Sequence, residues 1–381
     1  MRIVVTGGGT AGHVTPIKPV IDEIKLLDPD VKFLFIAQKG DRFADLLKLG
    51  EDIDQISYIN AGRYRRYPNE SFLQRATDLP TMLLNARDLF RSITALFKAF
   101  FILRRFKPDA VFGNGGFVSV PVGYASKMLK VPLLIHESDS IPGIANRMLS
   151  RVAQTIAFGM PSKVTTMHGK TTDFVGIPLR EAFVKRDSRS KEAIKKSLGL
   201  DKERSLISIS GGSLGAAAIN NAIIAGLPEL LSTMQIVHIT GEDNLSDVTT
   251  AVGALNIDIS HYHPLAFTDD IASYFKASDL VVTRASATTF SELSALHKPT
   301  ILIPAKQLLD QRHNAAQVAK QGAAIVQDEV ELEDNKELLP ELIKKLLNDP
   351  KQLRSLEEGS AALAKPDAAK ELAKMIHGLA T

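Results

Sequence analysis

Val4–Pro16 reads VVTGGGTAGHVTP: an apolar run enters a loop holding Gly7, Gly8, Gly9 and Gly12, and His13 stands just past the last glycine. A β-branched run, a glycine loop and a helical segment make the opening of a βαβ unit. In such a loop glycine lets the backbone approach an anion, and the helix that follows offers free N–H groups. The spacing Gly7-x-Gly9-x-x-Gly12 matches the dinucleotide fingerprint, which also needs a carboxylate at the tip of the second strand to hold ribose hydroxyls. Here the second apolar run, VKFLFIAQKGD, ends on Ala37-Gln38, with Asp41 several residues into the loop. The stretch predicts an α/β fold with an anion-accepting loop and argues against a nicotinamide- or flavin-dependent oxidoreductase.

Outward from that loop the pattern repeats. Further strands are expected at 32–37, 110–113, 133–136, 155–157, 206–210, 235–240, 280–283 and 300–304, mostly separated by helical segments. That alternation predicts doubly wound parallel sheets, and continuous apolar runs such as VPLLIH fit sheets covered on both faces. SLISISGGSLGAAAINNAI, Ser205 to Ile223, restarts the same strand–glycine loop–helix logic after a charged, polar stretch. A domain boundary therefore falls near Gly176–Arg180. The reading is an α/β chain of two domains, 1–178 and 179–364. The amphipathic stretch 365–381 could belong to either and is open to packing back on the first.

Bulk properties narrow the function. The 381 residues are 45% hydrophobic and 23% charged, typical of a globular protein, and contain no cysteine, which removes thiolate metal sites and cysteine nucleophiles. No apolar run is long enough for a spanning helix, and MRIVVTGGG reads as a first strand and not as a signal peptide, so a cytoplasmic location is expected. Gly169-Lys170-Thr171 ends like a phosphate-hydrolysing P-loop, but Val164 stands where the first glycine belongs. His261 and His263 alternate as strand histidines with no further ligand at helical spacing, so no metal site is expected. Charge is unevenly spread: between Gly62 and Lys107 ten Lys/Arg face three acids, a local +7, against −4 over the rest of the chain. Such a patch points to one anionic partner surface and not to nucleic acid.

TGGGTAGHVTP, PDAVFGNGGFVSVP, LLIHESDSIPGIANR, VGIPLR, ISGGSLGA, VTRASATTFSEL and DQRHNA follow one another across residues 3–325. In this order they resemble the MurG family of peptidoglycan glycosyltransferases. The resemblance implies the GT-B fold, two Rossmann-like domains facing across a cleft. It also implies transfer of N-acetylglucosamine from UDP-N-acetylglucosamine to lipid I, the undecaprenyl-diphosphate-linked muramyl peptide, to make lipid II without any cofactor. The implied setting is the cytoplasmic face of the bacterial cell membrane, with other cell-wall synthesis proteins as possible partners.

Donor contacts implied by the resemblance, where chemistry agrees, centre on the second domain. Ser213 and its glycine loop suit the UDP diphosphate, Arg180 the charge building on the leaving group, and Glu292 the ribose hydroxyls that the first domain cannot hold. Ala287, Thr288 and Thr289 match the sugar–diphosphate loop, Thr268 the base-reading segment, and Gln311 a sugar contact. Asp310 and Asn314 fit a sugar site, a helix N-cap or a solvated helix face. Thr10, Ala11 and Gly12 match residues near the donor sugar. On the acceptor side, Gly8, Gly9, Gly115, Gly116 and Phe117 form the expected floor for the lipid diphosphate. Phe117 stands where many relatives have tyrosine, and Asp139 stands where many have asparagine, which puts a simple donor contact there in doubt.

Forming a β-linkage from an α-linked donor requires a single inverting displacement, and the acceptor 4-hydroxyl must lose a proton. His13 is the leading base, expected to stay neutral at a helix N-terminus. Glu137 and Asp139 are rivals, each equally explained as a carboxylate bonding backbone amides. Leu79–Pro108 combines apolar residues with arginines and suits contact with an anionic membrane surface. Most of Leu83, Leu84, Phe90, Leu96 and Phe100 are expected in the core, leaving the tip, Arg63–Leu73, to touch lipid. Two other functions fit less well: another UDP-sugar enzyme of the same fold, such as an epimerase, and a binder that has lost turnover.

Overall fold

The computed structural model describes residues 1–41, 52–63, 79–185, 187–212 and 216–381, without the side chains of residue 11 and residues 79–83. The chain divides into two compact units, Met1–Leu179 with Asp367–Thr381, and Arg180–Pro366. The first unit holds strands β1 (Arg2–Thr6), β2 (Lys32–Gln38), β3 (Gln55–Ile59), β4 (Ala110–Gly113), β5 (Leu133–Glu137), β6 (Thr155–Phe158), β7 (Thr166–Met167) and β8 (Lys170–Phe174). They form one sheet in the order β3-β2-β1-β4-β5-β6-β8-β7, parallel but for the β7–β8 pair. The Gly169-Lys170-Thr171 stretch therefore belongs to a tight hairpin, whose turn uses His168 and Gly169 at φ 50° and 77°.

The second unit repeats the scheme with β9 (Ser205–Ser210), β10 (Met234–Ile239), β11 (Tyr262–Leu265), β12 (Leu280–Thr283), β13 (Thr300–Leu302) and β14 (Ile325–Val326). Their order, β11-β10-β9-β12-β13-β14, is parallel throughout. Both units thus reverse strand order beside their first strand, at β1/β4 and at β9/β12. Loops leaving the strands there open a crevice at the carboxyl edge of the sheet, where ligands of doubly wound folds bind.

Helices cover both faces of the first sheet. On one, the Ile17–Leu27 helix packs Ile17, Val20, Ile21 and Ile24 with the sheet residues Ile3, Val5, Phe33 and Phe35 and with Leu372 and Ile376 of the Ala368–Ala380 helix. The chain end therefore completes the core of the first unit. On the other face lie the Leu79–Phe106, Ser119–Met128 and Ile144–Leu149 helices.

The Leu79–Phe106 helix corrects an expectation. It buries Asp88, Ala95, Ala99 and Leu103, while Leu84 and Phe90, assigned to the core from sequence, are exposed, and Leu96 and Phe100 are partly buried. The reason is steric: short Ala95 and Ala99 let the backbone sit close to its neighbours, and Gly62 meets it at Asp88, where a Cβ would collide with the Asp88 carbonyl. The large side chains are left on the opposite face. The side chain of Leu83 and most of the 63–73 tip lie outside the described residues.

Candidate active site

The first unit gathers its polar groups at the β1/β4 switch. The loop after β1 packs directly on the loop after β4: Gly116 has φ 78°, and a Cβ there would collide with Gly8 O. A Cβ on Gly115 would stand 2.8 Å from His13 Cδ2, so glycine is what lets the imidazole come this close to the turn. His13 Nδ1 is 3.2 Å from Gly8 O and 3.2 Å from Thr10 Oγ1. A carbonyl only accepts, so in the neutral ring Nδ1 carries the proton and Nε2 the lone pair. His13 sits in a single turn, Ala11–Val14, just ahead of the Ile17–Leu27 helix.

The glycine floor holds a carboxylate of its own. Gly9 N donates to Asp41 Oδ2 at 2.7 Å, and a Cβ on Gly8 would stand 2.7 Å from the same oxygen. The Phe117 ring lies against Gly9, with the Arg63 guanidinium 5.8 Å from its centroid. At the end of β5, Glu137 is buried and accepts from Asp139 N at 3.1 Å, Gly143 N at 2.8 Å and Asn146 Nδ2 at 3.0 Å. Burial first, then the neighbouring Asp139 charge, push its carboxyl up to about 7 against those three donors. Both oxygens are committed to shaping the 138–143 loop.

In the second unit the β9/β12 switch presents two helix N-termini. Gly212 turns the chain at φ 78° ahead of the Ala217–Leu230 helix, and the Ala287–Ala295 helix starts after Ser286 with no side-chain cap. Its first-turn N–H groups, at Ala287, Thr288 and Thr289, have no intrahelical partner and suit an anion. One turn on, Glu292 is largely buried, its side chain 12% exposed, with Arg180 Nη2 3.6 Å from Oε1. Burial pushes its carboxyl up to about 7, and Arg180 only partly offsets this. The Arg180 guanidinium also lies 5.0 Å from the centroid of the Phe183 ring.

The chain matches known proteins over nearly its whole length. Residues 3–158 match the glycosyltransferase family 28 N-terminal domain and residues 206–372 the family 28 C-terminal domain. A Listeria welshimeri protein named UDP-N-acetylglucosamine–N-acetylmuramyl-(pentapeptide) pyrophosphoryl-undecaprenol N-acetylglucosamine transferase is 33% identical, covering 100% of this chain and 99% of its own. A Bacillus licheniformis protein of the same name is 34% identical over 100% and 99%. The crystal structure of Acinetobacter baumannii MurG matches at a TM-score of 0.76 and 23% identity, over 99% of both chains. The chain belongs to the MurG family. Its fold is GT-B, two Rossmann-like α/β domains with parallel sheets. A Neisseria meningitidis UDP-GlcNAc 2-epimerase bound to UDP-GlcNAc shares the fold, at a TM-score of 0.68 and 14% identity over 99% of this chain and all of its own.

Within this MurG-family chain, the first-unit residues singled out from sequence, from Gly8 to His13 and from Gly115 to Phe117, come together at one switch point. Thr10 Oγ1 meets His13, and Gly12 and Ala11 open its helical turn. Arg180 and Glu292, assigned separate roles, form a pair. Thr268 Oγ1 accepts from Asp270 N at 3.2 Å, and Gln311 Oε1 accepts from Ala305 N at 3.0 Å, which leaves the Gln311 amide nitrogen to donate to a ligand. The Leu309–Lys320 helix takes Leu308 as its N-cap, so neither Asp310 nor Asn314 caps it. Ser213 lies outside the described residues.

Sequence reasoning missed Asn114, His136 and Glu329. Glu329 is buried, pairs with Arg284 and accepts from Lys306 N at 2.7 Å, tying together the loops after β12 and β13. Asn114 and His136 are fully buried behind His13. Asn114 hides inside a glycine turn and His136 inside an apolar run, where each reads as a structural residue.

Proposed function

We infer that this chain moves N-acetylglucosamine from UDP-N-acetylglucosamine to the 4-hydroxyl of the muramyl sugar of lipid I, forming lipid II. The carrying observation is full-length identity of 33% to a transferase of that printed name, joined to a carboxylate–arginine pair beside uncapped helix N–H groups in the second unit. The second unit takes the donor: first-turn amides at Ala287, Thr288 and Thr289 meet the diphosphate, Glu292 accepts from the ribose hydroxyls, and Thr268 and Gln311 line the base and sugar ends. The first unit takes the acceptor at Gly8, Gly9, Gly115, Gly116 and Phe117. His13, through Nε2, removes the hydroxyl proton as that oxygen attacks the anomeric carbon from the face opposite UDP. Arg180 offsets the charge on the departing diphosphate, so the reaction inverts and needs no metal. Glu137 and Asp139 organise the neighbouring loop.

No described helix is long and apolar enough to cross a membrane. The exposed apolar face of Leu79–Phe106, flanked by Arg87, Lys98, Arg104 and Arg105, supports peripheral contact with an anionic leaflet on the cytoplasmic side, where the lipid acceptor is held. The deciding experiment is transfer from UDP-N-acetylglucosamine to a lipid I analogue with and without EDTA. UDP release and lipid II formation that persist in EDTA are expected. Folded protein that releases no UDP removes the assignment, and activity lost in EDTA removes the metal-free route. His13→Ala should lower turnover by roughly 100-fold or more with UDP affinity little changed, general-base contributions being of that size.

A further inference from the structure

Asn114 follows β4 and His136 lies on β5, both without solvent exposure. Asn114 Nδ2 donates to the His13 carbonyl at 2.9 Å, and Asn114 Oδ1 lies 2.7 Å from His136 Nδ1. His136 Nε2 in turn lies 2.9 Å from Gly176 O. The His13 carbonyl can only accept, so the Asn114 amide has one allowed orientation, nitrogen toward His13 and oxygen toward His136. That oxygen also only accepts, so the His136 nitrogen facing it must carry a proton. Gly176 O makes the same demand of the other ring nitrogen.

Meeting both demands needs an imidazolium where no water reaches. Burial holds His136 down to about 4, with His13 nearby as a like charge, against the Gly176 carbonyl, which pulls the other way. At neutral pH one proton therefore faces two acceptors. The Asn114 contact keeps it: at 2.7 Å it is the shorter of the two, against 2.9 Å to Gly176 O, and the amide cannot turn to donate because its oxygen would then meet the His13 carbonyl. We propose that Asn114 and His136 are positioning residues for His13, with a proton on His136 Nδ1 locking the Asn114 amide in the orientation that clamps the His13 backbone. Gly115 against the ring and Asn114 on the carbonyl then fix the imidazole from two sides. The proposal rests on the reading of His13 as the base.

Long-range proton–nitrogen NMR of the full chain at neutral pH tests the lock without any variant: the Nδ1–H tautomer of His136 is expected, and Nε2–H overturns the proposal. Asn114→Leu removes both contacts, so the proton should move to Nε2, where Gly176 is the remaining acceptor. Its kcat should fall roughly tenfold or more, since small misplacements of a reacting group cost that much, with UDP affinity within about twofold. Asn114→Asp keeps an acceptor for His136 and loses the donor to His13: Nδ1–H should persist while kcat falls as in the leucine variant. Full kcat in either folded variant overturns the positioning role. Full turnover in His13→Ala overturns the base reading instead, and the tautomer, read without turnover, tells the two failures apart.

Discussion

Glu292 carries two opposed demands on one carboxylate. Burial raises it to about 7, and only Arg180 pulls the other way. Its folded pKa lies above its unfolded value of 4.5, so the stability it contributes is fully present below 4.5 and is lost as pH rises through about 7. Glu292→Gln removes that penalty. The variant should melt higher than the parent at about pH 8, by an amount worth at most ~3 kcal/mol, with the gap closing near pH 5. UDP affinity should fall roughly tenfold or more, because a charged acceptor for the ribose hydroxyls is gone. In the parent, UDP titrations should weaken as pH drops below about 7. Equal UDP affinity in parent and variant would detach Glu292 from the ribose. Asp41 poses a related question, since its carboxylate already holds the Gly9 amide. Asp41→Asn keeps an acceptor and removes the charge, so inorganic pyrophosphate, followed by the Gly9 amide resonance, should bind several-fold tighter, a like charge opposite an anion costing about 1 kcal/mol. Weaker binding would make Asp41 a helper and not a competitor.

The Leu79–Phe106 helix turns a face toward solvent that a helix in a closed domain would bury. Leu89, Phe90, Phe97 and Phe101 are 63, 68, 55 and 65% exposed, and Leu89, Ile93, Phe97 and Phe101 repeat every fourth residue, one stripe along the helix. Phe97→Ser with Phe101→Ser should cut binding to vesicles rich in anionic lipid at least about tenfold, since each phenylalanine buried in lipid is worth roughly 1.5–3 kcal/mol. Thermal stability and UDP affinity should barely change, because neither ring supports the core. Undiminished vesicle binding would move the lipid contact elsewhere. This helix also marks what the sequence leaves open. Nine strands are legible because each is a run of buried β-branched or apolar residues bounded by turns. β3, QISYI, is not, because at the sheet edge its residues are only partly buried and its polar groups blur the pattern. The helix itself is legible, but not its orientation, because alanines and not phenylalanines make the closest packing. Likewise the glycine loops and His13 stand out in sequence, whereas the buried Asn114–His136 contact joins two strands that only the fold brings side by side.

The first unit is built from two segments, Met1–Leu179 and Asp367–Thr381, so the Ala368–Ala380 helix must be present before its core closes. The Ala368–Ala380 helix buries Ala368, Leu372, Ala373 and Ile376 against the Ile17–Leu27 helix and the first sheet, while the second unit has its own core around Ile207, Ile219, Leu227 and Val282. Two cores on one chain should report separately when one is weakened. Leu372→Ala with Ile376→Ala leaves adjoining space in the first core, and each such truncation costs about 2–5 kcal/mol. Together they remove a large part of the 5–15 kcal/mol that typically holds a domain. In calorimetry the transition of the first unit should move well below that of the second. UDP affinity, which we propose resides in Arg180–Pro366, should stay within about twofold at temperatures between the two transitions, while transfer is lost, ~1.4 kcal/mol being needed for even a tenfold change in affinity. A single transition that falls as one, with UDP binding lost at the same temperature, would mean that the cores do not melt independently and that the terminal helix stabilises the entire chain.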